Sequence, residues 1–158
     1  MAWDDKDMRY MRMALEAAKR AADLGEIPIG AVIVDGKGTV LSTTHNLCEK
    51  QKSPLAHAEM LALEEACKAR GDWRLTDCTL YVTLEPCPMC TGALVHARIG
   101  SIVYSAPDAR AGACGSLLDL PAYPLEAQPK IRAGILADES LQLLRAFFKN
   151  KREKQSNG

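Results

Sequence analysis

The chain has 158 residues, of which 47% are apolar and 25% charged; a chain of this kind folds as one globular domain that buries about 70% of its unfolded surface. Twenty basic residues against twenty acidic ones give a formal charge of zero, which excludes both a globally basic nucleic-acid coat and intrinsic disorder. No apolar run approaches the roughly 18 residues of a membrane span, and Met1–Tyr10 is too acidic and polar for an export signal, so a cytoplasmic, reducing location is expected.

In chain order, Asp4 or Asp5 caps a first helix, with Met8, Met11, Leu15, Ala18 and Ala22 at helical spacing and Gly25 as its stop. Ile29–Val34 reads as a buried strand, Asp35-Gly36-Lys37-Gly38 as a turn, and Thr39–Thr44 as the hairpin partner. Residues 45–55, polar and carrying Pro54, are expected to be loop, and a second helix runs from about Ala56 to Arg70 before Gly71. Cys78–Leu84, rich in Thr, Tyr and Val, is a central strand. Pro86 and Pro88 fit only in the first turn of a helix, so a helix spans Cys87 to about Ala97 and feeds the strand Ile99–Tyr104. Two strands joined by one helix are expected to be parallel, with a right-handed crossover. A Gly/Ala-rich loop over Ala106–Ser116 and a Pro-containing stretch over Leu120–Pro129 precede a fifth strand, Ile131–Leu136. The last helix begins near Asp138 with Leu141, Leu144, Phe147 and Phe148 on one face, the two phenylalanines being first of all core candidates. The sum is a single α/β domain over residues 1–158, three layers α/β/α with the sheet in the middle and a basic end from about residue 145.

Of six cysteines, Cys48, Cys67, Cys78 and Cys114 stand alone and only Cys87 and Cys90 form a tight pair. In a reducing compartment such a pair means metal binding or catalysis, redox catalysis included. Three residues apart on a helix, the two thiols share a face, and the helix N-terminus beside them favours thiolate. Upstream lies His57-Ala58-Glu59, at the start of the preceding helix. At about 100° per residue, Ala62, Leu63, Ala66 and Cys67 fall on the side of Glu59, and Glu64, Glu65 and Lys68 on the other. Glu59 thus sits in the apolar face, where a carboxylate is costly to bury unpaired; a paired structural glutamate is the alternative to a functional one. His57 is about 200° from Glu59, so the two converge only over the helix end. A site over two helix N-termini satisfies both motifs. One His and two Cys make three donors, the number that leaves a catalytic zinc with an open position. His45 and Cys114 remain possible fourth ligands of a closed structural site, whereas His96 falls on the far side of its helix.

H-x-E followed by P-C-x-x-C is the signature of the zinc nucleobase deaminases, and here the resemblance extends well beyond it. Gly25-Glu26-Ile27-Pro28-Ile29-Gly30-Ala31, Asn46, His57-Ala58-Glu59, Thr79–Cys90, Asp108–Leu118 and Gly134–Glu139 leading to Phe147-Phe148 all resemble the bacterial tRNA-specific adenosine deaminases. The likeness spans about Met8 to Arg152 and is weakest over Leu120–Lys130. It implies a cytidine-deaminase-like fold with a five-stranded mixed central sheet, a homodimer, and one zinc ion per subunit on His57, Cys87 and Cys90. It also implies that Glu59 is the catalytic proton carrier, moving a proton from water to adenine N1 and then to the departing amine. Asn46, Ile29, Leu84, Asp108 and Phe148 are implied to meet the substrate: Asn46 on the flipped base, Ile29 and Leu84 beside it, Asp108 on the nucleotide backbone. Read without the family, Asn46 caps its own loop and the Pro-Asp at 107–108 is a turn.

The implied substrate is the wobble adenosine of a tRNA anticodon stem-loop, whose bases splay out at low cost. Arg145–Lys154 carries five basic residues and one Glu, a net charge of +4 against −4 for the remainder. Lys149, Lys151 and Arg152 are accordingly candidates for an RNA-binding patch; the alternative is a solvated helix end whose cations suit the helix dipole. Two rivals keep the same centre: a zinc deaminase of free guanine or a cytidine nucleotide, and a non-catalytic zinc-bearing RNA-binding subunit. Glu59, which such a subunit does not need, argues for an enzyme.

Overall fold

The computed structural model describes residues 3–157. Its elements are α1 (Asp5–Asp23), β1 (Gly30–Val34), β2 (Val40–His45), α2 (Cys48–Gln51), α3 (Ala58–Arg70), β3 (Thr79–Leu84), α4 (Pro88–His96), β4 (Ser101–Ala106), β5 (Lys130–Ala133) and α5 (Ala137–Ser156), with a single 3-10 turn at Leu120–Ala122. The strands form one five-stranded sheet in the order β2-β1-β3-β4-β5. β1 pairs antiparallel with β2 and with β3, whereas β3–β4 and β4–β5 are parallel. The expected mixed sheet, hairpin and β3–α4–β4 crossover are all present.

The inner strands are apolar on both faces, and their period of two sorts residues between two cores. Ala31, Ile33, Leu80, Val82 and Ile102 pack with Ala62, Leu63 and Ala66 of α3 and Leu94 of α4. Val32, Val34, Tyr81 and Val103 turn the other way, onto Tyr10, Met11, Ala14 and Leu15 of α1. This second layer is tied by charge as well. Asp7, buried in α1, receives both Arg132 nitrogens from β5 and the Tyr81 hydroxyl from β3, all at 2.8 Å. The Arg132 guanidinium holds the Asp7 carboxyl below the usual carboxylate range. The backbone of α1 lies directly on β1: a Cβ at Gly30 would stand 1.9 Å from the Ala14 carbonyl oxygen, so only glycine fits.

Four expectations need correction. Residues 45–55 are not all loop, because α2 occupies Cys48–Gln51. Its free amides are satisfied from far along the chain, by the Glu26 carboxylate, which accepts from Glu49 N at 3.0 Å and Lys50 N at 2.7 Å. The second predicted helix starts at Ala58 rather than Ala56, with His57 as its extended N-cap residue. The fifth strand ends at Ala133, not Leu136, because Gly134 (φ +103°) and Leu136 (φ +54°) take left-handed backbone and turn the chain into α5. Ile135 gave the run its strand-like pattern, yet it is buried in the α1-side core. Finally, Phe147 and Phe148 are not core residues. Leu144 and Ser140 are the buried positions of α5, while Phe148 is 40% exposed.

Candidate functional site

β2, through α2, leads to the N-terminus of α3, β3 leads to that of α4, and the two helix ends meet at one corner. His57 and Cys87 are the N-cap residues of these two helices, both with extended backbone (φ −71°, ψ 150° and φ −75°, ψ 174°). Neither helix has a side-chain capping hydrogen bond. Pro88 at the first position of α4 starts the helix without wasting an amide, and Cys90 lies within the first turn. The His57 Nδ1 stands 3.6 Å from Cys87 Sγ and 3.4 Å from Cys90 Sγ. His57, Cys87 and Cys90 form the only such donor cluster among the described residues, with ligand atoms all within 4.8 Å of one another.

This donor set fits zinc. Bond lengths of about 2.0–2.1 Å to nitrogen and 2.3 Å to sulfur place the donors of a tetrahedral ion roughly 3.5–3.6 Å apart, which matches the two N···S separations. The two possible fourth ligands are elsewhere, the Cys114 thiol meeting Thr91 Oγ1 and the His45 ring the Asn46 carbonyl, and His96, already set aside, pairs with Glu126. Three donors are the number of an open, catalytic site. Of the three donors, Cys87 is the one prepared for ligation in the absence of metal. The Cys87 thiol is pulled down to about 4, first by the Cys90 thiol hydrogen bond and then by His57, so Cys87 is a ready thiolate. Hydrogen bonding to Cys87 raises His57, and the same contact together with burial raises Cys90.

Glu59 stands where the helical wheel puts it, in the buried face of α3 and only 4% exposed. Burial pushes its carboxyl up to about 7, opposed by its own backbone amide, the His57 charge and the Cys90 thiol hydrogen bond. A carboxyl raised by burial in the metal-free site, beside the His57, Cys87 and Cys90 donors, can both take and give a proton.

Above this corner opens a cleft of about 620 Å³, and Asn46, Ile29, Leu84, Asp108, Phe148 and Lys151 all line it with His57, Glu59 and Cys87. Every substrate-contacting candidate is therefore brought to one place. Of the three basic candidates only Lys151 reaches the cleft; Lys149 and Arg152 are exposed on α5 beyond it. Asn46 is not the self-capping loop residue that its sequence context allows. It is 4% exposed, and its side-chain oxygen accepts from Cys48 Sγ at 3.1 Å. Asp108 does make the turn, with Oδ1 accepting from Arg110 N and Ala111 N at 3.0 and 3.3 Å, and it borders the cleft as well.

Sequence reasoning missed Glu85. This carboxylate, 3% exposed at the end of β3, accepts the amides of Asp108, Cys114 and Ser116 at 3.0–3.1 Å and so holds the loop that forms one rim of the cleft. A Cβ at Gly112 would lie 2.3 Å from the Glu85 carboxyl carbon, so the loop closes on Glu85 only with glycine there. The available signal was an acidic residue between an apolar strand and Pro86, which burial obliges to find donors.

Comparison with known proteins gives concordant results. Residues 4–106 match the model of the cytidine and deoxycytidylate deaminase zinc-binding region. The tRNA-specific adenosine deaminase of Bacillus subtilis (strain 168) is 45% identical over 151 residues, 95% of this chain and 93% of that protein. A solved structure from a study of A-to-I editing by tRNA:A34 deaminases at the wobble position of transfer RNA superposes with a TM-score of 0.83 at 37% identity, covering 86% of this chain and 99% of that one. The guanine deaminase of Bacillus subtilis is more distant, with a TM-score of 0.62 at 31% identity over 89% of this chain and 92% of its own.

Proposed function

The chain belongs to the cytidine and deoxycytidylate deaminase family and, within it, to the tRNA-specific adenosine deaminases, and from that premise we propose how its residues deaminate adenosine to inosine at the wobble position of a tRNA anticodon loop. The observation that carries the assignment of roles is the buried Glu59 set beside the His57, Cys87 and Cys90 donors at the foot of the cleft. His57, Cys87 and Cys90 hold the zinc, which when bound supplies the Lewis acid that makes hydroxide available from water near neutral pH. Glu59 accepts the proton lost by the attacking water and delivers it to adenine N1 as oxygen adds at C6. It then takes the proton of the new C6 hydroxyl and carries it to the amino nitrogen, so that the C6–N bond breaks, ammonia leaves and inosine, with C6=O, remains. A carboxyl raised by burial suits both halves of that shuttle.

Recognition falls to the cleft walls. Ile29 and Leu84 flank the flipped base, the Asn46 amide hydrogen-bonds it, and Phe148 offers an exposed ring at the mouth. Asp108 Oδ2, without a partner among the described residues, is left for the nucleotide backbone. Lys149, Lys151 and Arg152 on the exposed end of α5 supply the charge that RNA phosphates require. The enzyme acts in the cytoplasm as one catalytic domain per subunit of a homodimer. Among the described residues no helix is long and apolar enough to cross a membrane, and the exposed Leu117, Leu118, Tyr123 and Leu125 favour a partner surface. The test is inosine formation from an anticodon stem-loop with a wobble adenosine, run beside free adenosine, guanine and cytidine. Conversion of the stem-loop alone is expected; conversion of guanine or cytidine instead would overturn the substrate and keep the zinc chemistry.

A further inference from the structure

Asn46 is held in an unusual way. Its backbone is fixed on both sides: its amide donates to the Ile29 carbonyl at 3.1 Å, and its carbonyl accepts from His45 Nδ1 at 3.0 Å. The terminal amide is a different matter, because rotation about the last side-chain bond is broad and roughly two-fold, exchanging oxygen for NH2. Among the described residues its one hydrogen-bond partner is the thiol of Cys48, at 3.1 Å from Oδ1. Cys48 in turn does not float. It is the first residue of α2, and the fully buried Glu26 carboxylate grips the next two amides of that helix at 3.0 and 2.7 Å. Both Cys48 and Asn46 line the cleft.

We propose that Cys48 is a positioning residue for substrate recognition: its S–H donates to Asn46 Oδ1, turns the NH2 toward the cleft, and so commits Asn46 to reading a hydrogen-bond acceptor on the base edge. The inference rests on the proposal that Asn46 contacts the base. Burial and the nearby Glu26 charge raise the Cys48 thiol, which keeps it protonated and a donor at neutral pH. With the amide reversed, the NH2 would face sulfur, a weak acceptor, and the oxygen would face an acceptor on the base.

The test is steady-state deamination of an anticodon stem-loop bearing a wobble adenosine by the zinc-loaded wild type, Asn46→Ala, Cys48→Ala, Cys48→Ser and the Asn46→Ala/Cys48→Ala double variant. Loss of one neutral hydrogen bond corresponds to a factor of about 2–10. Cys48→Ala is therefore expected to raise KM by about three- to ten-fold with kcat within about two-fold, the signature of binding held equally in ground and transition states. Zinc content and melting temperature are expected to stay at wild-type values. Cys48→Ser, whose hydroxyl also donates, restores KM, and Cys48→Ala adds nothing once Asn46 is alanine. An unchanged KM in Cys48→Ala alongside a raised KM in Asn46→Ala would overturn the role of Cys48 and leave that of Asn46 intact. Additive effects of the two substitutions, or failure of serine to restore KM, would overturn it too. An unchanged KM in Asn46→Ala would remove the reading of Asn46 itself, and the inference with it.

Discussion

The floor of the cleft and its α5 wall are built differently. At the floor, His57, Glu59, Cys87 and Cys90 sit on two helix N-termini packed against a buried sheet, and hydrogen bonds or burial set the charge of each. Along α5, Phe147, Phe148 and Lys151 lean on one another, with the phenyl rings 5.4 Å apart edge to face and the Lys151 ammonium 5.9 Å from the Phe147 ring centre. The floor is determined by backbone and burial, whereas the wall presents side chains to solvent. The donor cluster has been put where the fold is most constrained, and the residues proposed to meet RNA where it is least.

The sharpest way to break this division is to remove a floor donor. His57→Ala is expected to lower zinc, measured by plasma emission, from one per chain to well below that and to abolish inosine formation; full zinc retention would reassign the ligand set. Next in size, Glu59→Gln is expected to cut kcat by about 10²–10⁴ with zinc content unchanged, and near-normal turnover would end its role as proton carrier. The same carboxyl leaves a mark on stability. With a folded value near 7 against 4.5 when free, Glu59 of the metal-free protein holds an extra proton between those pH values, so its own contribution to stability falls as pH rises through that window, against the opposite contribution of the depressed Cys87 thiol. Denaturant midpoints of the metal-free protein should rise more steeply with pH across that range in Glu59→Gln than in the wild type, and parallel profiles would remove the shift. The smallest effect belongs to the wall. Replacing Lys149, Lys151 and Arg152 by glutamine is expected to weaken stem-loop affinity on the order of 10-fold and to make its salt dependence shallower by about 2 in log–log slope, with kcat little changed. An unaltered slope would remove α5 from the RNA surface.

The same division decides how much was legible in the sequence. The sheet, its crossover and the metal corner come from local signals: alternating apolar runs, Pro88 at a helix start, and cysteines one helical turn apart. The placement of Glu59 needed only a helical wheel. What escaped was long-range. The stub helix α2 depends on Glu26, more than twenty positions upstream, and the cleft rim depends on Glu85, similarly far from the amides it holds. Ile135 mimicked a strand because burial in the α1-side core produces the same apolar spacing as pairing in a sheet. Phe147 and Phe148 were expected in the core because an apolar helical face is the same pattern whether it covers a sheet or borders a cleft.

Glu85 makes the opposite rim a single mechanical part. Three amides spread over residues 108–116 end on one buried carboxylate, so releasing any of them leaves a buried carboxylate short of a donor. The arc then yields as a cooperative unit or not at all, and amides 108, 114 and 116 share one opening free energy in hydrogen exchange. The rim on that side of the cleft is held as one piece.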